Sequence, residues 1–262
     1  MIKFENLKIE GWEPAIRGMR NAKNSWAKSD SRRCGSGWCD ICVDYDCCPF
    51  DHDPDKLIVG PNDHKLMMNL RNAGTDHRKY LRMIIVWVDI VAPLYWWKEF
   101  DTYKVGTVAN SCSTMHTIHE EEFTLEDFSH EKLFSNNDYH RMVDLNRCCE
   151  EIGSPAFMFG PLEDLQYDID KLNIYRKLFI QTKDKIWWEQ MIQRLPSSYN
   201  QKRTVMLNYE VLANIYKARK SHKLDEWREF CKWIEGLPYS ELITGKAVND
   251  ADSVGAGKEK LR

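Results

Sequence analysis

Apolar positions in the first hundred residues predict strands and helices in alternation. Residues 2–9 alternate loosely between apolar and polar side chains, which predicts an edge strand. The run Arg82 to Ala92 is rich in β-branched residues and Pro93 ends it, so it predicts a second strand. Helical spacing and helix-ending signals predict helices that begin at Ala15, cover about 63–73, and cover 94–101.

The C-terminal half is predicted to be mostly helical. Apolar spacing predicts helices at about 170–194, 203–220 and 224–236, and Pro196 follows the first of them. Residues 120–165 are predicted to be irregular with short helices. In the helix at 203–220, spacings of 4, 3 and 4 place four side chains on one face: Asn208, Leu212, Ile215 and Arg219.

Three segments predict loops. Residues 28–60 are polar and contain Gly and Cys, which indicates a long loop or insertion, and residues 102–116 are small and polar, like a binding loop. Residues 245–262 are predicted to be a disordered tail. We therefore expect a single domain over residues 1–244 with a Cys-rich insertion at about 28–60.

Composition and charge exclude several classes of protein. The net charge of −3 over 262 residues provides no positive field for phosphate backbones, so general nucleic-acid binding is not expected. No apolar run reaches the roughly 18 residues needed to span a bilayer. The start of the chain lacks signal-peptide features, so we expect a cytoplasmic protein with reduced cysteines. Motifs of P-loop proteins, dinucleotide-binding folds, zinc proteases and serine hydrolases are absent from the sequence.

The loop from Thr102 to His116 carries candidate chemistry. Hydroxyl groups together with Lys suit a phosphate or a pyrimidine, and this loop has seven such polar side chains: Lys104, Thr107, Asn110, Ser111, Ser113, Thr114 and His116. A polar surface loop in which Ser and Thr cap their own backbone is the alternative.

Arg203 and Arg219 form a second candidate set. The planar, permanently charged guanidinium matches phosphate oxygens and carbonyls. Because Arg219 shares its predicted face with apolar residues, it needs a partner or a ligand. A structural salt bridge is the alternative.

Cysteines between residues 34 and 48 form a third candidate set. The spacing C-x4-C-x2-C-x4-C-C offers four thiolates for tetrahedral zinc, namely Cys34, Cys39, Cys42 and Cys47 or its neighbour Cys48. Unliganded thiols in a loop are the alternative, because the sequence holds one true C-x2-C pair in this region.

The order of these features resembles the flavin-dependent thymidylate synthases. That family has a strand ending in Ala-Pro, a short aromatic helix, and an RHR motif followed at seven or eight residues by Ser. Here Ala92-Pro93 precedes the helix LYWWKEF, Thr102-Tyr103-Lys104 occupies the motif position, and eight residues lead to Ser113. The motif arginines of the family thus appear as Thr102 and Lys104, its His as Tyr103, and a later Arg as Met115.

Other parts of the chain resemble the same family. Ala15-Ile16-Arg17 with Ser25, and Gly74 to His77, are similar to stretches that lie near the flavin. Leu195-Pro196, Arg203, Arg219, Ser221-His222 and Trp227 follow in the family's order. The resemblance covers roughly residues 1–116 and 186–240.

The resemblance implies a fold and an activity. The fold class is α/β (α+β), with an antiparallel sheet core flanked by helices. The implied enzyme is a homotetramer in which FAD carries the chemistry, NADPH reduces it, and methylenetetrahydrofolate supplies one carbon to convert dUMP to dTMP. Alternatives are a related flavoenzyme acting on another pyrimidine nucleotide, and a non-catalytic nucleotide-binding protein.

The resemblance also implies two sets of site residues. On the nucleotide side it implies Arg203 and Arg219 with Lys104 and Ser113, and on the flavin side it implies Ser25, His77, Tyr103 and Asn110.

Overall fold

The main strands form one four-stranded antiparallel sheet. In the computed structural model, which describes residues 2–33 and 57–245, the strands of this sheet are β1 (Lys3–Glu10), β4 (Ile85–Pro93), β5 (Val108–Ser111) and β6 (Asn200–Asn208). Their spatial order is β1-β4-β6-β5. Along β4 burial alternates with a period of two, as the β-branched pattern of this segment requires. The predicted fold class, an antiparallel sheet core with flanking helices, is confirmed.

Helices account for most of the remaining described chain. Their bounds are α1 Trp12–Arg20, α2 Pro61–Asn72, α3 Leu94–Phe100, α4 Thr114–Thr117, α5 Tyr139–Glu151, α6 Pro161–Thr182, α7 Lys185–Arg194, α8 Tyr209–Arg219, α9 Asp225–Glu235 and α10 Glu241–Thr244. The predictions at 63–73, 94–101 and 224–236 are confirmed within two residues at each end. Among the described residues, no helix combines the length and the apolar character needed to cross a membrane.

The predicted helix at 170–194 is wrong as a single element. The chain forms α6 and α7, and it breaks between them at Lys183 and Asp184. Lys183 adopts a left-handed conformation with φ of 56°. The Asp184 side chain then accepts a hydrogen bond from the backbone N of Ile186 and caps α7. A polar Lys-Asp pair therefore both ends one helix and begins the next.

The predicted helix at 203–220 is also wrong in its first part. Residues 200–208 form β6, and its alternate positions Gln201, Val205 and Leu207 are buried. Asn208 accepts a hydrogen bond from the backbone N of Val211, so it caps α8 rather than lying on its face. Arg203 therefore lies on a strand, whereas Arg219 is the last residue of a helix.

The segments predicted as loops contain regular elements. Within 28–60, β2 (Arg32–Arg33) pairs antiparallel with β3 (Leu57–Ile58). Within 102–116, the structure has β5 and the start of α4, and the irregular stretch 120–165 contains the 13-residue helix α5. The proposed zinc ligands Cys34, Cys39, Cys42 and Cys47 lie outside the described residues, as does the predicted tail beyond Gly245.

The described chain divides into two compact units. The first comprises the described residues within Met1–Phe4, Asp89–Thr102 and Asn110–Thr204. Its core cluster consists of Ile118, Phe123, Phe128, Leu165, Ile169, Leu172 and Met191.

The second unit comprises the described residues within Glu5–Val88, Tyr103–Ala109 and Val205–Arg262. In it, α8 packs against α9, α10 and the 3-10 helix Lys79–Met83. Large side chains from these elements are fully buried, among them Tyr209, Leu212, Ile215, Trp227 and Phe230. Removing such side chains from water is the main stabilising contribution to this unit.

Candidate functional site

In the second unit, Arg219 lies in a cluster of aromatic side chains. Its Nε donates a hydrogen bond to Oη of Tyr103 at 2.8 Å. Its Cζ lies 4.6 Å from the ring centroid of Trp227, in cation–π contact, and 5.6 Å from that of Tyr103. The two rings meet edge to face, with centroids 5.9 Å apart. A phenol oxygen and an indole face therefore fix the orientation of one guanidinium.

Three separate parts of the chain supply this cluster. Arg219 ends α8, Trp227 lies on the buried face of α9, and Tyr103 begins the segment Tyr103–Ala109. Trp227 is fully buried because its helix follows the apolar stripe read from the sequence. Arg219 itself is half-buried, as its predicted position beside Leu212 and Ile215 requires.

The segment Tyr103–Ala109 lies along α8. Gly106 has a φ of 80°, and a Cβ there would meet Cγ2 of Val211 at 3.0 Å and Nδ2 of Asn208 at 3.1 Å. Any other residue would therefore be strained at this φ, and its Cβ would crowd the side chains of Val211 and Asn208. A hydrogen bond from Oγ1 of Thr107 to the carbonyl O of Tyr103 closes the turn. Lys104 and Val105 are exposed at its tip, and Val105 is 90% exposed.

Arg203 forms a separate network within the first unit. Its Nη1 donates to Oδ1 of Asp101 at 2.8 Å, and its Nε donates to Oε1 of Gln201 at 2.9 Å. The guanidinium lies 4.3 Å from the ring centroid of Trp97, whose indole N–H donates to the carbonyl O of Gln201. Its side chain is 16% exposed. Nη2 has no hydrogen-bond partner among the described residues, so one donor of the fork is left for a ligand.

The remaining nucleotide-side and flavin-side candidates of the first unit are Ser113 and Asn110. Oγ of Ser113 accepts from the backbone N of His116 and caps α4, which leaves its own O–H to donate. Asn110 is exposed in β5. Neither side chain is a hydrogen-bond or cation–π partner of Arg203.

In the second unit, Ser25 is half-buried, whereas His77 is exposed in a turn. Ser25 precedes the 3-10 helix Trp26–Lys28, and its carbonyl O accepts from Nη1 of Arg20 at 3.3 Å. The backbone N of His77 donates to the carbonyl O of Gly74, and the side chain is exposed. Of the predicted site residues, the structure brings Tyr103 and Arg219 into direct contact, and Lys104 follows Tyr103 in the chain.

Residues 17–26 include side chains of the kinds that bind a flavin dinucleotide. Arg17 is exposed, makes no ion pair among the described residues, and has its Cζ 5.3 Å from the ring centroid of Trp26. Trp26 is 40% exposed, and the neighbouring Ser25 hydroxyl has no side-chain hydrogen-bond partner in the described part of the chain. A cation, a hydroxyl and an accessible flat ring fit the phosphates and ring systems of a dinucleotide such as FAD.

Sequence reasoning missed several residues that hold these groups. Asp101, Gln201 and Trp97 fix Arg203, although Trp97 lay in the aromatic run that pointed to this region. Glu210 is 5% exposed and accepts hydrogen bonds from Arg78 and Arg82. A lone Glu directly after the start of a helix with an apolar face is the signal that could have pointed to this buried carboxylate.

The thiol of Cys231 in the second unit is a further group that could react. Burial, with a smaller contribution from Glu235, raises the pKa of the Cys231 thiol to about 11, and Arg219 opposes this shift. Cys231 is therefore a protonated thiol rather than a nucleophile at neutral pH.

In the first unit, an open apolar hollow of about 450 Å³ lies beside Phe134, Phe157 and Phe159, and none of the predicted site residues lines it.

Comparison with known proteins identifies the fold. No protein-family model matches this sequence, and no curated protein matches it. Two crystal structures of thymidylate synthase X from Helicobacter pylori with FAD and dUMP match with TM-scores of 0.58 and 0.56 and 16% identity. They cover 94% and 93% of this chain and 98% of theirs. The UMP/dUMP methylase PolB from Streptomyces cacaoi, bound with 5-Br dUMP, has a TM-score of 0.49 at 12% identity, covering 90% of this chain and 88% of its own. The protein has the fold of the flavin-dependent thymidylate synthases.

Proposed function

We propose that the protein is an FAD-dependent enzyme that methylates dUMP to dTMP. The observation that carries this proposal is the fold likeness to structures that contain FAD and dUMP, because it extends over nearly the whole of both chains. Fold alone does not define a reaction, so the proposal also rests on the side chains described above.

On the nucleotide side, Arg219 is the central residue of the proposal. Its orientation is fixed before any ligand binds, and preorganised donors bind anions and carbonyl oxygens with less loss of side-chain entropy. Lys104 is exposed on the turn that Tyr103 begins, and it adds positive charge for a phosphate. In the other unit, the spare Nη2 of Arg203 and the hydroxyl of Ser113 are further candidate donors.

On the flavin side, the proposal uses Ser25, His77 and Asn110, together with Arg17 from the stretch that resembles the family and Trp26, whose ring lies beside it. Arg17 offers charge to the FAD phosphates, and the Ser25 hydroxyl offers a donor. When bound, FAD supplies the redox chemistry, with NADPH as reductant and methylenetetrahydrofolate as the one-carbon source. The protein contributes binding, orientation and exclusion of water.

Because the thiol of Cys231 is protonated at neutral pH, the proposal gives it no role as a nucleophile. Assembly as a homotetramer in the cytoplasm belongs to the same proposal. The exposed apolar side chains of the first unit, such as Ile152, Met158 and Ile174, support assembly because subunit contacts cover such surface.

A related flavoenzyme acting on a different pyrimidine nucleotide is the second candidate function. It is favoured by Thr102, whose Oγ1 donates to the carbonyl O of Glu99 at the end of α3. A position where the family carries a charged ligand thus terminates a helix here. Met115 is 52% exposed and offers no charge either.

The purified full-length protein tests both functions. We expect flavin absorbance, or its appearance after titration with FAD. With NADPH, methylenetetrahydrofolate and dUMP tritiated at C5, methylation must release tritium, because the methyl group replaces the hydrogen at C5. Release from tritiated UMP or dCMP, with none from dUMP, would favour the second candidate. A protein that binds no FAD at excess would contradict both.

A further inference from the structure

The hydrogen bond between Tyr103 and Arg219 restricts the guanidinium at Nε. Because Nε is bonded to the phenol oxygen at 2.8 Å, rotation of the guanidinium about its last torsion is blocked. The indole of Trp227 lies against the guanidinium at 4.6 Å and opposes tilting. These two contacts act at different points of one planar group, so together they fix both its position and its plane.

The backbone of Tyr103 is held by Thr107 and by the packing of Gly106. Its carbonyl O accepts from Oγ1 of Thr107, which closes the turn. Gly106 packs on Val211 and Asn208 near the start of α8, whereas Arg219 is the last residue of that helix. These contacts hold the backbone of the segment along α8, so they set where the side chain of Tyr103 begins.

We propose that Tyr103 is a positioning residue for the nucleotide, acting through Arg219; this rests on the proposed function. The resemblance places Tyr103 on the flavin side, where it would act by stacking on a ring. The phenol oxygen instead accepts the Nε–H of the candidate nucleotide ligand. Fixing Arg219 before the ligand arrives lowers the loss of side-chain entropy on binding, so the nucleotide is held more tightly.

The closing experiment is a double-mutant cycle on the full-length protein loaded with FAD. Calorimetric titration with dUMP compares the wild type with Tyr103→Phe, Arg219→Ala and the double variant. Phe keeps the ring and its contact with Trp227 but lacks the acceptor. We expect Tyr103→Phe to weaken dUMP binding by about threefold to tenfold, the range for one hydrogen bond. In the Arg219→Ala background the same change should have no further effect.

Tyr216→Phe is the matched control, because it removes a tyrosine hydroxyl from the same helix, one that donates to Glu235. It should leave dUMP affinity unchanged, and both Tyr variants should retain their FAD affinity. Equal dUMP binding by Tyr103→Phe and wild type would overturn the inference, as would an equal loss in the Arg219→Ala background. Wild type that binds no dUMP would overturn the proposed function first, and this outcome is distinct from the other two.

Discussion

Arg20 and Asp63, which are 43 residues apart in the chain, form a buried ion pair. Nε and Nη2 of Arg20 each lie 2.6 Å from Oδ1 of Asp63. Arg20 is 5% exposed, and Asp63 is fully buried. Oδ2 of Asp63 accepts from the hydroxyls of Ser29 and Ser31 and from the backbone N of Asp30 and Ser31. The pair therefore joins the end of α1 to the start of α2 and holds residues 29–31 between them.

The first prediction concerns acid stability. Burial acts to raise the pKa of Asp63, but hydrogen bonds from Ser29, Ser31 and Arg20 outweigh it and lower the pKa below its usual value. A carboxylate with a depressed folded pKa contributes stability above its unfolded pKa and loses it as pH falls through the folded value. We expect the free energy of unfolding, from denaturant titrations between about pH 7 and 3, to fall towards acid.

Asp63→Asn tests the origin of that loss. It should lower stability at neutral pH by about 3–5 kcal/mol, because Arg20 is left buried without its carboxylate. Its stability should also depend less on pH than that of the wild type. The same acid slope in both proteins would show that Asp63 is not the group that titrates.

The second prediction concerns Arg219. Arg219→Ala should weaken dUMP binding by roughly tenfold to a hundredfold, because a hydrogen bond to a charged group contributes about 1.5–3 kcal/mol. Calorimetric titration measures the affinity, and a melting curve of the same variant measures stability. Lys220→Ala is the control, since it removes the adjacent, exposed charge. A lower melting temperature with unchanged affinity would support the structural salt-bridge alternative.

The third prediction concerns Arg203. Arg203→Ala should lower the free energy of unfolding by about 1–3 kcal/mol, because it leaves Asp101 and Gln201 without a donor and uncovers the face of Trp97. Arg203→Lys keeps the charge but cannot make both hydrogen bonds. Its free energy of unfolding should therefore lie between those of Arg203→Ala and the wild type. Urea unfolding followed by tryptophan fluorescence measures this order. If Arg203→Lys were as stable as the wild type, the two hydrogen bonds made by the planar guanidinium would contribute little to stability.

The fourth prediction concerns thiol reactivity among the described cysteines. Cys112 and Cys148 are exposed, whereas Cys149 and Cys231 are buried, and the pKa of Cys231 is raised to about 11. Brief treatment with iodoacetamide near pH 8, followed by peptide mass spectrometry, should label Cys112 and Cys148 first. Labelling of Cys231 should require denaturant. Early labelling of Cys231 in the folded protein would contradict its burial.

The fifth prediction comes from the sequence alone. If Cys34, Cys39, Cys42 and Cys47 bind zinc, metal analysis of protein expressed with zinc should find about one equivalent per chain. The double substitution of Cys39 and Cys42 by Ser should abolish it. Folded wild-type protein without metal would leave unliganded thiols as the remaining interpretation.

Sequence patterns identified the elements whose signals are local. The strand ending at Pro93, the aromatic helix after it and the stripe of α9 all follow from spacing and breakers, and the structure confirms them. The helix predicted to begin at 203 is wrong because the spacing there fits a helix as well as a strand. Pairing in the sheet makes residues 200–208 a strand. Arg203 was therefore assigned to the same helix as Arg219.

The partners of the site residues were beyond local patterns. Tyr103 and Arg219 are 116 positions apart, and Arg203 and Asp101 are 102 apart. Neither contact has a periodic signature, because it depends on how distant elements pack. Composition could therefore identify the arginines as residues that need partners, but not which side chains those partners are.

The packing of Gly106 on α8 separates the scaffold of this turn from its tip. The backbone path is determined by Gly106, Asn208 and Val211, none of which is at the tip. Lys104 and Val105 face solvent and contribute little to that path. Substitutions at these two positions are therefore tolerated by the fold, so the tip of this turn can change its charge and shape without a loss of stability.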